Sequence, residues 1–181
     1  MPHYVALLRG INVGGNNLIK MSELKVCFEK LGFRDVATYI QSGNVVFAAA
    51  GEAGKLCPRV EAAIEKTFDC KVSVVLRSAK QLGDIVERAP RGFGAEPAKY
   101  RYDVIFLKEP LTSREAMRGL PMRAGVDRAD AGNGVLYFSR LVAKAAQSRL
   151  SKLVSLPIYK SVTIRNWNTT TKLLGMMDAR E

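Results

Sequence analysis

The stretch "VATYIQSGNVVFA", Val36 to Ala48, decides the fold of the first half of this chain. Two runs rich in β-branched and aromatic residues, VATYI and NVVFA, flank the turn signal QSG, so they predict a β-hairpin. Working outward, the strand candidate HYVALL and a helix candidate precede the hairpin. A second helix candidate and the strand candidate KVSVVL follow it. The order is β-α-β-β-α-β, the split-βαβ or ferredoxin-like plan.

The two helices of this half are predicted from their periodicity and their ends. The first has apolar residues at helical spacing between Ser22, a candidate N-cap, and Gly32, a C-terminal stop. The second is predicted to carry Pro58 in its first turn, where a missing N–H costs nothing. Its apolar face consists of Val60, Ala63, Ile64 and Phe68.

The second half repeats the same order after a bridging helix capped by Ser78 and a Pro/Gly-rich segment, APRGFGAEPA, predicted to be a linker. Thr112 with Glu115 predicts a capping box, SRLSKLVSL predicts a helix, and SVTI predicts a weak strand. The predicted fold is therefore α+β, with two tandem ferredoxin-like (β-α-β-β-α-β) halves and an appended C-terminal helix. We place the first subdomain at 1–77, the bridging helix and linker at 78–100, and the second subdomain at 101–181.

The charge of the chain is strongly positive and unevenly distributed. Lys+Arg number 28 against 17 Asp+Glu, a net charge of +11. No acidic residue occurs from Ala131 to Met177. A field of one sign attracts polyanions, although a merely soluble basic surface is the plain alternative. The candidate nucleic-acid-binding residues are Arg140, Lys144, Arg149, Lys152 and Lys160.

Two stretches could hold an anion through backbone N–H groups. RGINVGGNN has the GxxxxG spacing of a P-loop, but Asn16 and Asn17 stand where that loop needs Lys and Ser/Thr. A glycine-rich turn beside Arg9 could still bind an anion, or its glycines and asparagines could simply supply positive φ. In RNWNTTTKLL, Asn168 is a candidate N-cap, and the free N–H groups of the following turn favour an anion.

Several polar side chains join these stretches in the predicted ligand site. Trp167 could stack on a ligand ring or serve as a core anchor. The hairpin turn adds amides and a hydroxyl that turn chemistry alone would also explain. The predicted ligand-binding residues are Arg9, Asn12, Gly14, Gly15, Gln41, Ser42, Asn44, Arg165, Asn166, Asn168, Thr169 and Thr170.

Residues suited to catalysis are few. His3 is the only histidine, and a histidine near a chain end is typically a surface residue. No cluster has metal-ligand spacing and no carboxylate pair suggests acid–base work, so we predict no metal, cofactor or assigned catalytic residue.

Three cysteines without a CxxC pair suit a reducing cytoplasm. No apolar run is long enough to cross a bilayer, so we expect a cytoplasmic protein without membrane contact.

Six segments together resemble the bacterial family named domain of unknown function 1697. They are ALLRGINVGG, KMSEL, LGF, TYIQSGNVVF, VVLRSA and RNWNTTTKLL, and they run nearly from end to end of the chain. The resemblance implies a cytoplasmic α+β protein of two related subdomains. It implies no established activity, substrate or catalytic residue.

Three functions fit these observations. The first is a binding module for phosphate-bearing ligands, either a nucleotide or a nucleic acid. The second is a small-molecule enzyme whose site lies between the halves, with Arg9, Asn12, Gln41, Asn44 and Arg165 as polar ligands. The third is a basic protein that binds another protein. The acid-free stretch and the two possible anion cradles favour the first.

Overall fold

The computed structural model describes residues 1–180, and these form two compact units. The first unit contains residues 1–83 and the C-terminal segment from Lys172, and the second contains Asp84–Thr171. These limits differ from the predicted ones, because the bridging helix is divided and the last helix belongs partly to each unit. The chain is mixed α+β with two four-stranded antiparallel sheets, which confirms the predicted class.

The first unit has the strand order β2-β3-β1-β4, with every neighbouring pair antiparallel. The hairpin predicted around QSG is confirmed as β2 and β3. The elements are β1 His3–Arg9, α1 Met21–Lys30, β2 Arg34–Tyr39, β3 Asn44–Ala48, α2 Ala53–Phe68 and β4 Ser73–Ser78.

Two helix ends in this unit differ from the prediction. Helix α1 begins after Lys20, which makes no side-chain cap bond, so Ser22 lies inside the first turn and is not the N-cap. Helix α2 begins at Ala53, so Pro58 is its sixth residue and not part of its first turn. Gly32 does follow α1 in the left-handed conformation, and its N–H donates to Glu29 O, as predicted.

One prediction about burial is also wrong in this unit. His3 was expected at the surface, but it is only 6% exposed at the start of β1. Its register partner on β3 is Ala48. The residues that alternate with His3 along β1, namely Tyr4, Ala6 and Leu8, point into the main core of the unit. Strand periodicity therefore places His3 on the opposite face from this core.

The second unit has the strand order β6-β7-β5-β8, again antiparallel throughout. The capping box of Thr112 and Glu115 is confirmed at the start of α4, and Ser78 caps α3 through Gln81. The elements are α3 Ala79–Glu87, β5 Tyr100–Leu107, α4 Ser113–Gly119, β6 Asp127–Ala131, β7 Val135–Leu141, β8 Val162–Asn166 and α5 Trp167–Asp178.

The helix predicted from SRLSKLVSL is absent from the described chain between β7 and β8. Three 3₁₀ segments occupy this connection: Val142–Gln147, Leu150–Ser155 and Pro157–Ser161. The buried residues Leu150 and Leu153 are three apart, which is one turn of a 3₁₀ helix. Pro157 then prevents a longer helix from continuing through this region.

The segment predicted to be a linker packs against the second sheet. The ring of Phe93 contacts those of Tyr102, Tyr137 and Trp167 edge to face, with centroids 5.0, 5.4 and 5.1 Å apart. Tyr137 also donates its hydroxyl hydrogen to Ile85 O. Across residues 1–180, no helix combines the length and the apolar character that a membrane span requires.

Candidate functional site

Three strand ends meet at one end of the second sheet. Arg101 on β5 lies directly opposite Arg140 on β7, and Asp103 on β5 lies opposite Asn166 on β8. They border a cavity of about 290 Å³. We call it the Arg101–Arg140 cavity, and its lining residues are Gly94, Pro97, Tyr100, Arg101, Tyr102, Asp103, Arg140, Asn166, Trp167 and Asn168.

The two arginines make this cavity electropositive. Like charges that stand directly opposite on neighbouring strands destabilise a sheet, and Asp127 of β6, opposite Arg140 on its other side, offsets part of this cost. The Nε of Arg140 is buried and has no hydrogen-bond partner among residues 1–180. An anion between the two guanidinium groups would relieve the repulsion and could satisfy this donor.

Asp103 is the acidic member of the same site. Burial raises the pKa of its carboxyl group above the ordinary value, and the positive charges of Arg140 and Arg101 oppose this rise. Its Oδ2 is buried without a hydrogen-bond partner in the described chain. The rise therefore reflects burial of the carboxyl group, and the two arginines partly offset it by favouring the negative charge.

Helix α5 starts at the edge of the cavity. Asn166 is its N-cap, because its Oδ1 accepts a hydrogen bond from Thr169 N at 2.7 Å. The predicted cap, Asn168, is therefore wrong by two residues and lies in the first turn. The first N–H groups of a helix, here those of Trp167 and Asn168, have no acceptor within the helix and carry the positive end of its dipole.

The threonines after Asn168 do not present free hydroxyls to a ligand. Thr170 donates its hydroxyl hydrogen to Asn166 O, and Thr171 donates to carbonyls of Trp167 and Asn168. Thr169 and Thr170 are both buried. Within this stretch, the polar groups that border the cavity are those of Asn166 and Asn168.

Aromatic rings form one wall of the cavity. Trp167, Tyr100 and Tyr102 line it, and Phe93 holds the indole of Trp167 in an edge-to-face contact. Gly94 has a φ of +85°, and a Cβ at this position would overlap the indole nitrogen of Trp167. Only glycine allows this close approach, so the backbone fixes the position of the indole. The indole thus packs against Phe93 and Gly94, and its stacking on a ligand ring stays a prediction.

Arg165 lies on β8, where it is 8% exposed, opposite Val104 of β5. One of its terminal nitrogens donates to Ile164 O at 2.8 Å. Burial lowers the pKa of its guanidinium to about 10, so the group stays charged at neutral pH. It is not among the residues that line the Arg101–Arg140 cavity.

The predicted ligand amides of the first unit hold loops together. Asn12 donates to the carbonyls of Ile19 and Gln41 at 3.0 and 2.9 Å, and its Oδ1 accepts from Ile19 N at 2.8 Å. Asn12 and Gln41 are thus brought together, as a loop-to-hairpin contact. Gly14 and Gly15, both exposed and at positive φ, form the tip of this loop beside Arg9.

The polar side chains of the hairpin turn also make hydrogen bonds within the protein. Asn44 is fully buried and donates to Tyr39 O at 2.9 Å and to Ser42 Oγ at 3.0 Å. Gly43 has a φ of +83°, and an added Cβ would lie 2.7 Å from Ile11 Cδ1 and 2.9 Å from Leu8 Cβ. These contacts support the alternative of turn chemistry for this polar group, while its role toward a ligand stays a prediction.

The predicted nucleic-acid-binding residues all lie in the second unit. Arg140 borders the cavity, and the others are exposed on or beside the 3₁₀ segments. The backbone N–H of Arg149 donates to Asp127 Oδ2 at 2.9 Å, which fixes the path of the chain there. The exposed side chains are Lys144, Arg149, Lys152 and Lys160.

Sequence reasoning missed Arg101, Asp103, Tyr100 and Tyr102 as site residues. A signal was available, because tyrosines alternate with charged residues at the start of β5. The charged positions share the face on which Ile105 and Leu107 are buried in the core. Charged residues that lie on the same face as the core residues of a strand indicate that polar groups meet at the end of that strand.

Comparisons with known proteins give a family and a fold without an activity. The model of a family described as Protein of unknown function (DUF1697) matches residues 1–137. A solved structure of a conserved bacterial protein from Streptococcus pneumoniae is similar over 97% of this chain and 98% of that chain, with 26% sequence identity and a TM-score of 0.83. A search of curated proteins finds no match.

Proposed function

This chain belongs to the family of proteins of unknown function DUF1697, and from the cavity in its second unit we propose that it is a binding module for phosphate-bearing ligands, either a nucleotide or a nucleic acid. We also infer that the two units are tandem ferredoxin-like halves, because both sheets have the same strand order and the same antiparallel pairing. The sequence of strands and helices in the first unit matches that plan in full.

The observation that carries the functional proposal is the pairing of Arg101 with Arg140 beside the start of α5. Two guanidinium groups and a helix N-terminus provide complementary ways of binding a phosphate: bidentate hydrogen bonds and backbone N–H groups at a positive dipole. The buried and unpartnered Nε of Arg140 is a donor that such a ligand could use. Asp103 is the one carboxylate among the residues that line the cavity, so the two guanidinium groups outnumber it.

The aromatic wall narrows the ligand class toward nucleotides. A base could stack on Trp167 while its phosphate lies between the arginines, and stacking on an aromatic side chain contributes about 1–3 kcal/mol per base. The cavity volume of about 290 Å³ is at the lower end for small-molecule sites. It therefore suits one nucleotide unit, whether that unit is free or belongs to a single strand.

The exposed cations beyond the cavity favour a strand over a free nucleotide. Lys144, Arg149, Lys152 and Lys160 lie within the acid-free part of the chain and could contact neighbouring phosphates. Each such contact on a single strand steepens the dependence of log affinity on log salt by about 0.7. A free mononucleotide would show a much smaller salt dependence.

The test uses the only tryptophan of the chain, Trp167, as a reporter within the site. Its fluorescence is recorded during titration with adenosine monophosphate and with a random single-stranded oligonucleotide at two salt concentrations. The variants are Arg101→Gln and Arg140→Gln. The matched control is Arg114→Gln, which removes the same charge from an exposed position on α4.

We expect saturable changes in fluorescence, and roughly tenfold weaker binding in each cavity variant, because a charge-assisted hydrogen bond contributes about 1.5–3 kcal/mol. The control should bind like the wild type. A wild-type protein whose fluorescence responds to neither probe at low salt would refute the proposal. Equal weakening in the control would show that only net charge matters. The competing hypothesis of a small-molecule enzyme stays a prediction.

A further inference from the structure

The sole histidine of the chain occupies an unusual position in the first unit. His3 is 6% exposed, and its Nε2 is buried without a hydrogen-bond partner among residues 1–180. A buried polar nitrogen without a partner costs stability, so such an atom calls for an explanation. The functional proposal above does not use this residue.

The strand register creates a space beside His3. Ala48 of β3 pairs with His3 on one side and with Arg34 of β2 on the other, so these three residues form one row across the sheet. The small side chain of Ala48, which is 2% exposed, separates two long ones. This row borders a cavity of about 380 Å³, which Arg180 also lines.

Asp35 supplies the only carboxylate among the residues that line this cavity. The β2–β3 register shifts between Arg34 and Ala37, and Asp35 adopts a left-handed φ of +52° within this shift. Its Oδ2 lies 3.9 Å from His3 Nε2, which is too long for a hydrogen bond. The side chain of Asp35 is 61% exposed, so it can turn toward solvent when an anion enters.

We propose that this cavity, built by His3, Arg34 and Arg180, is a second anion site that takes a phosphate group. Two guanidinium groups against one exposed carboxylate leave the cavity positive. The arginines bind the phosphate oxygens, Arg180 through nitrogens other than the one that donates to Met176 O. Nε2 of His3 makes the hydrogen bond that it lacks within the described chain. The site lies entirely within the first unit and goes beyond the function proposed for the second.

The chemistry of the lining favours binding over catalysis. A hydroxyl–histidine–carboxylate triad needs a nucleophile within reach of the imidazole. The remaining lining residues, Met1 and Ala48, have apolar side chains, so the described lining contains no hydroxyl or thiol. His3 and Asp35 therefore serve as parts of a binding site.

The experiment uses His3 as a reporter, because it is the only histidine in the chain. Its imidazole C–H resonances are followed by NMR in the full-length protein during titration with inorganic phosphate at constant pH and ionic strength. Chloride replaces phosphate in the reference titration. The variants are Arg34→Gln and Arg180→Gln, both at exposed positions, and the control is Lys66→Gln on the exposed side of α2.

We expect saturable shifts of the His3 resonances with phosphate alone, about tenfold weaker apparent affinity in Arg34→Gln and in Arg180→Gln, and no change in Lys66→Gln. Resonances that do not move with phosphate would overturn the proposal. Unchanged affinity in both arginine variants would overturn it as well. Failure here is separable from failure of the first proposal, because Trp167 reports on one site and His3 on the other.

Discussion

Replacing Asp103 by Asn tests the electrostatics of the Arg101–Arg140 cavity directly. The substitution keeps the shape of the side chain and removes the only carboxylate among the residues lining that cavity. Asp103 is two residues from Arg101 on the same strand, so a phosphate bound to that arginine lies roughly 7 Å from the carboxylate. At an effective dielectric constant of about 20, that separation corresponds to a repulsion of about 2 kcal/mol. Water at the mouth of the cavity reduces it, so we expect Asp103→Asn to bind an anion about 5- to 30-fold more tightly.

The assay is titration of Trp167 fluorescence with sulfate, whose charge is constant across the useful pH range. At pH 7 the variant should show the higher affinity. In the wild type, affinity should rise as pH falls toward the titration range of Asp103, which burial places above its ordinary value. The variant should lack this dependence. Weaker sulfate binding by Asp103→Asn at pH 7 would refute the reasoning, because it would show that the Asp103 carboxylate increases the affinity of the site for anions.

Three further predictions concern stability. The pKa of Asp103 is higher in the folded than in the unfolded protein, so its contribution to stability is present in acid and is lost as pH rises through the folded pKa. The melting temperature of Asp103→Asn should therefore lie above that of the wild type at pH 7 and close to it near pH 3. Asn166→Ala should lower the free energy of unfolding by about 1 kcal/mol in urea denaturation, whereas Asn168→Ala should change it far less; a reversed order would contradict the observed cap. Gly94→Ala should shift the fluorescence emission of Trp167 and destabilise the protein by about 1–3 kcal/mol. An unchanged emission spectrum would show that the position of the indole does not depend on its close contact with the backbone of Gly94.

The parts of the fold that follow from local patterns were predictable. The hairpin around QSG and the capping box of Thr112 and Glu115 each depend on residues that are neighbours in sequence. The 3₁₀ segments were missed because Leu150 and Leu153 satisfy both a helical and a 3₁₀ spacing over so short a run. The N-cap of α5 was misplaced because Asn166 and Asn168 are equally good caps, and only the end of β8 decides between them.

The site was less predictable than the fold, for a physical reason. Arg101, Arg140 and Asn166 become neighbours only through the register of β5 with β7 and with β8. A shift of one residue in either pairing would turn these side chains to the other face. The sequence identified Arg140 and Asn166 by their charge and type, but it could not show that Arg101 and Asp103 join them.

The division of the chain into units has a consequence for biosynthesis. The first unit needs residues 1–83 and also the segment from Lys172, which carries the buried Leu173 and Met177. A ribosome adds about 5–20 residues per second, so roughly 5–20 s separate the synthesis of these two parts. Asp84–Thr171 emerges as one continuous piece, whereas residues 1–83 must wait for the segment from Lys172. The unit whose synthesis starts earlier is therefore completed after the other.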